Sequence, residues 1–116
     1  MEQQALIEMI CHVIEEKKGM DIRVLNVRDV TSIADYFIIG TARNSRMARS
    51  ISEAVDDKLE ENHTSVLRTE GYKEGNWILQ DLGGIMIHIL IPEERARYQL
   101  DQLWSDAAVE YENRGE

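Results

Sequence analysis

Six acidic residues are the side chains in this sequence that could hold a divalent cation for catalysis on a phosphate group. They are Asp35, Asp56, Asp57, Glu70, Glu74 and Asp81. Magnesium catalysis requires carboxylates that converge at one edge of a sheet, and polymerase-like nucleotidyltransferases place two on one strand at positions i and i+2. Phe37 stands two residues after Asp35, and Asp56 and Asp57 are neighbours in a predicted helix, where adjacent side chains point apart. The spacing therefore does not favour a catalytic magnesium site.

The turn that runs from Gly40 to Ser45 is a second pattern that could bind phosphate, because it precedes a predicted helix and helix N-termini attract anions. Arg46 could assist, but the turn has one glycine and no lysine–hydroxyl pair. The histidines have no metal-ligand spacing, and the lone Cys11 is interpreted as core packing. We therefore predict no catalytic residue, metal or cofactor. The alternative is a nucleotide-binding or nucleotidyltransferase-type enzyme that uses Asp35 and this turn.

Residues 76–92, NWILQDLGGIMIHILIP, carry the strongest strand pattern of the chain. Trp77 begins the first run, and Gly83-Gly84 separates it from a second run in which isoleucines alternate with other apolar residues and one histidine. A strand that is apolar on both faces is typical of a sheet covered on both sides. Trp77 is large and its indole N–H needs a partner, so it is either a core residue or an anchor for another protein. The sequence leaves both interpretations open.

Composition and charge limit the class of protein. With 116 residues, 43% hydrophobic and 30% charged, the chain is expected to form a single globular domain over residues 1–116, whose acidic end, residues 106–116, frays. The net charge of −9 disfavours direct nucleic-acid binding, which depends on lysine and arginine, and suits a basic protein partner. Solubility alone explains this charge equally well. Without a secretory signal or a membrane-length apolar run, we expect a cytoplasmic protein that does not contact membranes.

The periodicity predicts an α/β fold with a mixed sheet of about five strands flanked by helices. The predicted elements are helix 3–18, strands 21–27 and 35–42, a helix from 44 or 45 to about 62, strand 65–69, the two strands within 76–92, and a helix from Pro92 whose apolar pattern continues through Leu100, Leu103 and Trp104. The strand–helix–strand unit of residues 35–69 should be a right-handed parallel crossover. The last two strands should form an antiparallel hairpin through their diglycine turn.

Five segments of the sequence match the pattern of one known family. They are DIRVLNV at 21–27, SIADYFIIGTARNSR at 32–46, Glu70-Gly71, GNWILQDLGGIMIHIL at 75–90 and ERARYQLDQLW at 94–104. In order and spacing they resemble the Iojap or ribosomal silencing factor family over about residues 3–106. The chain departs from the family pattern at Ala42 and Met47. These departures affect the helix cap and the local basic patch of Arg43, Arg46 and Arg49 rather than residues 77–88.

The resemblance implies a binding factor rather than an enzyme. It implies a fold similar to nucleotidyltransferases without the catalytic carboxylates, which agrees with Phe37 standing where a second carboxylate would be needed. Family members bind a large-subunit ribosomal protein, number fourteen in the standard series, on the face where the small subunit docks. They thereby obstruct the joining of the ribosomal subunits and lower translation when nutrients are scarce. The resemblance also implies that family members form homodimers, so self-association of this chain is expected.

We predict that partner binding uses the first strand of the hairpin, its turn, and residues nearby on the second strand and the closing helix. These residues are Trp77, Leu79, Asp81, Leu82, Gly83, Gly84, Met86, His88 and Tyr98. Trp77 and Leu79 share one face of their strand, and Met86 and His88 share one face of theirs. The sequence does not fix the register, so whether the two pairs meet on one face of the sheet stays open.

Overall fold

The computed structural model describes residues 2–99 and the backbone of residues 108–113. The elements are α1 (Gln3–Glu16), β1 (Met20–Asn26), β2 (Tyr36–Thr41), α2 (Ser45–Glu61), β3 (Arg68–Glu70), β4 (Trp77–Asp81), β5 (Ile85–Leu90), α3 (Pro92–Tyr98) and β6 (Ala108–Asn113). The strands form one sheet in the order β3-β4-β5-β2-β1-β6. Strands β2 and β5 are parallel, and the other neighbouring pairs are antiparallel. The predicted mixed α/β sheet is confirmed.

The crossover through α2 places the β4–β5 hairpin in the interior of the sheet. Strand β3 runs in the same direction as β2, because β5 is parallel to β2 and two antiparallel pairings separate β5 from β3. The predicted parallel crossover therefore exists, but it passes over two strands instead of joining neighbours. The strand that begins at Trp77 is paired on both sides as a result.

Two apolar clusters lie on opposite faces of the sheet. The first cluster lies beneath α1 and α2 and includes Ile85, Ile87 and Ile89 of β5. The second cluster lies on the other face. Its buried members are Leu25, Val27, Ala34, Phe37, Ile39, Met86 and Leu90, with Trp77 and Leu79 partly buried against them. The alternation of β5 between these clusters explains why both of its faces are apolar.

The helix that crosses the first cluster begins where the sequence indicated. The side chain of Asn44 accepts a hydrogen bond from the backbone N–H of Met47 at 2.9 Å, which satisfies one of the free donors of the first turn. Ile51, Val55 and Leu59 follow at four-residue intervals and are buried. The helix ends at Glu61, close to the predicted end near residue 62.

Three elements differ from the sequence expectation by more than one or two residues at an end. The short strand lies at Arg68–Glu70 rather than at residues 65–69. Helix α3 ends at Tyr98 because Gln99 adopts a left-handed conformation with φ of 48°, so the predicted continuation through Leu100, Leu103 and Trp104 falls outside the described residues. Residues 108–113 form a sixth strand beside β1, where a fraying acidic end was predicted. The sequence of this segment, AVEYEN, alternates with a period of two, which is typical of a strand. Its acidic composition nevertheless favoured the prediction of a fraying end.

The loop between β3 and β4 fixes the point at which β4 begins. Gly71 has φ of +79°, and a Cβ atom there would lie 2.0 Å from the carbonyl oxygen of Trp77. Arg49 of α2 donates hydrogen bonds from Nη1 to the carbonyl oxygens of Lys73 at 3.2 Å and Glu74 at 3.3 Å. The loop is therefore held to the helix at one side and to Trp77 at the other.

We expect Gly71→Ala to lower the free energy of unfolding by about 3 kcal/mol, since a left-handed alanine costs about 1–2 kcal/mol and the contact with the Trp77 carbonyl adds a similar amount. Gly83→Ala is the matched control. Its φ is +101°, yet the nearest atom to an added Cβ is Leu67 Cδ1 at 3.5 Å, so only the backbone strain applies. Urea unfolding of both variants measures the difference. Equal losses would contradict the close approach of the loop to Trp77.

Candidate functional site

The register between β4 and β5 brings two separate pairs of predicted site residues together. Leu79 lies opposite His88, and Asp81 lies opposite Met86. Paired residues of antiparallel strands project to the same side of a sheet. Trp77, Leu79 and Asp81 therefore share a face with Met86 and His88, and this face is opposite to α1 and α2. The question that the sequence left open is settled by this pairing.

The diglycine turn fixes that register. The N–H of Leu82 donates to the carbonyl oxygen of Ile85 at 2.9 Å, which leaves Gly83 and Gly84 as a two-residue loop. The carboxylate of Asp81 accepts a hydrogen bond from the N–H of Gly83 at 2.8 Å and stabilises the turn. The side chain of Leu82 packs against the first cluster, on the helix side of the sheet. The sequence grouped Leu82 with Trp77, but their side chains lie on opposite faces.

Trp77 lies between His88 and Tyr98. Its Nε1–H donates to Nδ1 of His88 at 3.1 Å, and its ring centroid is 4.7 Å from that of Tyr98. Tyr98 is 47% exposed, whereas Trp77 is partly buried against the second cluster. Trp77 is thus partly a core residue, and its role as an anchor for another protein stays a prediction. Its N–H is used inside the protein, and part of its ring remains accessible. We call Trp77, Leu79, Asp81, Met86, His88 and Tyr98 the Trp77 surface.

His88 supports this surface from below. It is 6% exposed, and burial lowers the pKa of its imidazole to about 4, so the ring is neutral at pH 7. Because Nδ1 accepts the indole hydrogen bond, Nε2 carries the proton, and Nε2 has no hydrogen-bond partner within residues 2–99. The edge of Phe37 lies against the imidazole, with ring centroids 4.9 Å apart. A buried neutral histidine is suited to holding the indole, not to exchanging protons with a substrate.

Charged residues border the apolar part of the surface. Arg68 of β3 lies opposite Asp81, and its guanidinium is 3.5 Å from the Asp81 carboxylate and 2.9 Å from that of Glu70. Arg68 and Phe37 were not among the site residues predicted from the sequence. The β3–β4 and β2–β5 pairings place these two residues on this face, and a single sequence carries no direct signal for such long-range pairing.

The predicted site residues differ in their access to a partner. Met86 and His88 are buried, 7% and 6% exposed, and can only support the surface. Trp77, Leu79 and Asp81 are partly exposed, as are Leu82 and Gly84 at the hairpin end. Gly83 and Tyr98 are exposed. Among the predicted site residues, therefore, only Trp77, Leu79, Asp81, Tyr98 and the turn are accessible to a partner.

The residues of the alternative nucleotide site lie at opposite ends of β2. Asp35 precedes this six-residue strand and the turn of residues 40–45 overlaps its far end, and such a strand spans about 20 Å. Asp35 accepts a hydrogen bond from Gln3 Nε2 at 3.1 Å and lies 3.8 Å from Arg28. Gly40 is buried within the strand, where an added Cβ would lie 3.4 Å from Ile14. The glycine thus permits close packing of α1, and a joint site for a nucleotide is not assembled.

The described part of the chain shows no feature of a metal site or of a membrane-spanning helix. There, no group of three or more histidine, cysteine or acidic residues is arranged to hold a metal ion. No helix within the same residues has the length and apolar character to cross a bilayer. The one cysteine of the chain, Cys11, is buried, and desolvation together with Glu15 and Glu8 raises its pKa to about 12. Its sulfur therefore remains a protonated thiol in the core.

Comparison with known proteins identifies the family of this chain. The family model described as "Ribosomal silencing factor during starvation" matches residues 1–116. The chain belongs to the ribosomal silencing factor family. It is 31% identical over 109 residues to the ribosomal silencing factor of Bacillus subtilis, and this match covers 94% of this chain and 92% of that protein. It is also 35% identical over 92 residues to the chloroplastic Iojap protein of Zea mays, which covers 79% of this chain and 40% of that protein.

A solved structure confirms the architecture of the family in this chain. The crystal structure of a protein from Chromobacterium violaceum is similar with a TM-score of 0.87 and 30% sequence identity, and the match covers 90% of this chain and 88% of that one. The resemblance to the ribosomal silencing factor family is thus confirmed by sequence and by fold. Its relatives carry the name of a regulatory factor rather than of an enzyme.

We expect His88 to make stability depend on pH. Its pKa is about 4 in the folded chain and about 6.5 in an unfolded one, so the unfolded state binds more protons between these values. The contribution of neutral His88 to the free energy of unfolding is complete above about pH 6.5 and is lost as the pH falls towards 4. At pH 5 the loss should be about 2 kcal/mol. His88→Asn keeps an acceptor for the indole but removes this titration. Urea unfolding from pH 7.5 to 5 should show a steeper loss for the unmodified protein, and parallel curves would contradict a buried neutral His88.

Proposed function

We propose that this chain represses translation by binding the large ribosomal subunit and blocking its joining to the small subunit. The partner in this proposal is the large-subunit protein numbered fourteen, and the condition is nutrient limitation. The observation that carries the proposal is a half-open aromatic surface, built on Trp77 and Tyr98, in a member of the ribosomal silencing factor family. No catalytic turnover is required.

The Trp77 surface has the composition of a protein interface. Trp77, Leu79 and Tyr98 provide an apolar centre, while Asp81 and Arg68 provide a charged rim. Aromatic residues at the centre of such a patch commonly contribute most of the binding free energy, and a polar rim is typical. An interface of this kind binds through packing and does not need a titrating group.

The surface is also ordered before a partner arrives. The hydrogen bond to His88 restricts the indole of Trp77, and the edge contact of Phe37 restricts His88 in turn. Side chains that are already fixed lose less conformational entropy on binding, so more of the interaction energy appears as affinity. His88 therefore serves binding although it is buried.

Charge favours a basic ribosomal protein as the partner. The chain has a net charge of −9, and opposite charges accelerate the encounter of two proteins. The net negative charge of the chain would repel ribosomal RNA, so the proposal uses a protein contact rather than direct recognition of nucleic acid. It places the chain on cytoplasmic ribosomes, with self-association of the free protein as a further part of the proposal.

Steric exclusion is sufficient as the mechanism. The chain measures 34 × 34 × 27 Å along its principal axes. Two ribosomal subunits approach each other closely across their joining face, so a body of this size seated there separates them. Repression then depends on affinity and on the position of the bound protein alone.

We expect Tyr98→Ala to reduce affinity for the large subunit at least about tenfold, because the substitution removes an exposed aromatic contact, and aromatic residues at an interface commonly contribute about 1.4 kcal/mol or more. Trp77→Ala is less informative, because it also leaves Nδ1 of His88 unpaired in the core. Co-sedimentation with purified large subunits measures binding, and the yield of joined particles measures repression.

Tyr72→Ala is the matched control. Tyr72 is 41% exposed, close to the 47% of Tyr98, but it bonds to Glu53 on α2 and lies outside the Trp77 surface. It should bind and repress like the unmodified protein. If Tyr98→Ala binds and represses normally, the Trp77 surface is not the docking site. Thermal stabilisation by ATP with magnesium, without ribosome binding, would instead support the nucleotide-binding alternative.

A further inference from the structure

We propose that the outer edge of β3, together with the groove beside it, is a second docking site, which receives an extended protein segment rich in lysine or arginine. One edge of β3 pairs with β4, and this site lies along the other edge. It is independent of the Trp77 surface and of the proposed block of subunit joining.

The hydrogen-bonding pattern of β4 shows which backbone groups of β3 face outward. The hydrogen bond from the N–H of Leu82 to the carbonyl of Ile85 closes the hairpin. From Leu82 backwards along β4, successive residues direct their backbone N–H and C=O groups alternately to β5 and to β3. Residues 78 and 80 consequently bond to β5. Leu79 and Asp81 direct their backbone groups to β3.

Thr69 is therefore the β3 residue whose backbone is available. Leu79 and Asp81 lie opposite Glu70 and Arg68, so Thr69 between them directs its N–H and C=O away from the sheet. Strand β3 ends the sheet order, and no strand of the described chain pairs with its outer edge. Such an edge can accept one further strand through main-chain hydrogen bonds.

A groove of about 530 Å³ lies beside this edge, between β3 and α2. It is lined by Asp56, Asp57, Glu60, Thr64, Ser65, Val66 and Thr69. One wall thus carries three carboxylates, the other carries hydroxyl groups, and the described lining includes no lysine or arginine. The adjacent carboxylates were expected to point apart, yet Asp56 and Asp57 both line this groove.

A buried amide fixes the innermost carboxylate of the groove. Gln80 is fully buried, and its Nε2 donates to the Asp56 carboxylate and to the Ser52 carbonyl, each at 3.0 Å. Its Oε1 has no hydrogen-bond partner in the described part of the chain. Desolvation, with the charges of Asp57 and other neighbouring acids, raises the pKa of Asp56 although the Gln80 hydrogen bond lowers it. A cationic side chain in the groove would relieve the repulsion among these acids.

The geometry fits an extended basic segment better than a small ion. Alternate residues of a strand lie about 6.7 Å apart on one side, close to the spacing of about 6 Å between helix positions such as Asp56 and Glu60. A strand added at Thr69 would thus present successive lysine or arginine side chains to the acidic wall. Leu67 is 71% exposed and precedes β3 directly, where it offers an apolar contact to the same segment.

The test uses a nine-residue peptide of alternating lysine and threonine, with blocked ends, titrated into the full chain at low ionic strength. Two variants address the two parts of the site. Thr69→Pro removes the outward N–H, and a triple substitution, Asp56→Asn with Asp57→Asn and Glu60→Gln, removes the carboxylate charges. We expect each to weaken peptide binding at least about tenfold, while Thr69→Val, which keeps the N–H, binds like the unmodified protein.

Two further probes keep the result unambiguous. A peptide with N-methyl groups at alternate residues blocks main-chain pairing from the ligand side, so it gives the same test even if Thr69→Pro fails to fold. Large-subunit binding should be unchanged in the folded variants, which separates this site from the Trp77 surface. Absence of binding by the unmodified protein would overturn the proposal. Equal binding of the methylated and unmethylated peptides would also overturn it, because only diffuse charge attraction would then remain.

Discussion

The antiparallel pairing of β4 with β5 is the interaction on which the rest of this structure depends. It places Leu79 opposite His88 and brings the Trp77 indole within 3.1 Å of an imidazole nitrogen. The same hairpin occupies the interior of the sheet, since β5 also pairs with β2 and β4 also pairs with β3. A slip of β4 by one residue would move Trp77 to the helix side of the sheet and Ile78 out of the first cluster. The turn at Gly83-Gly84 and the loop at Gly71 oppose such a slip from the two ends of β4.

This arrangement gives the two faces of the sheet different tasks. The helix-covered face holds most of the apolar core, including fully buried Ile78, Ile87 and Ile89. The other face combines a second apolar cluster with a partly open aromatic group. On that face, burial keeps the imidazole of His88 neutral, and the neutral ring accepts the hydrogen bond that holds Trp77 in place. In a member of the ribosomal silencing factor family, such a pre-ordered surface is the natural candidate for partner binding.

Local features of the sequence predicted much of this fold. Asn44 indicated where α2 begins, and the alternating run after Gly84 indicated β5, because capping and periodicity depend on near neighbours. Long-range pairing was less accessible. Strand β5 is apolar on both faces, so its periodicity could not assign His88 to the side of Trp77. Leu82 is different, because it lies an odd number of residues after Trp77 and strand alternation alone places it on the opposite face. The acidic composition of residues 108–113 concealed a strand whose pairing with β1 only the tertiary structure supplies.

Hydroxyl-radical footprinting on the chain bound to purified large ribosomal subunits tests the docking surface most directly. Tyr98 and Tyr72 have similar exposure in the free chain, 47% and 41%, so their oxidation rates form an internal comparison. If the Trp77 surface meets the ribosome, oxidation of Tyr98 should fall strongly on binding while that of Tyr72 stays unchanged. Protection of Tyr72 with Tyr98 left fully reactive would contradict the assignment of the Trp77 surface as the docking site.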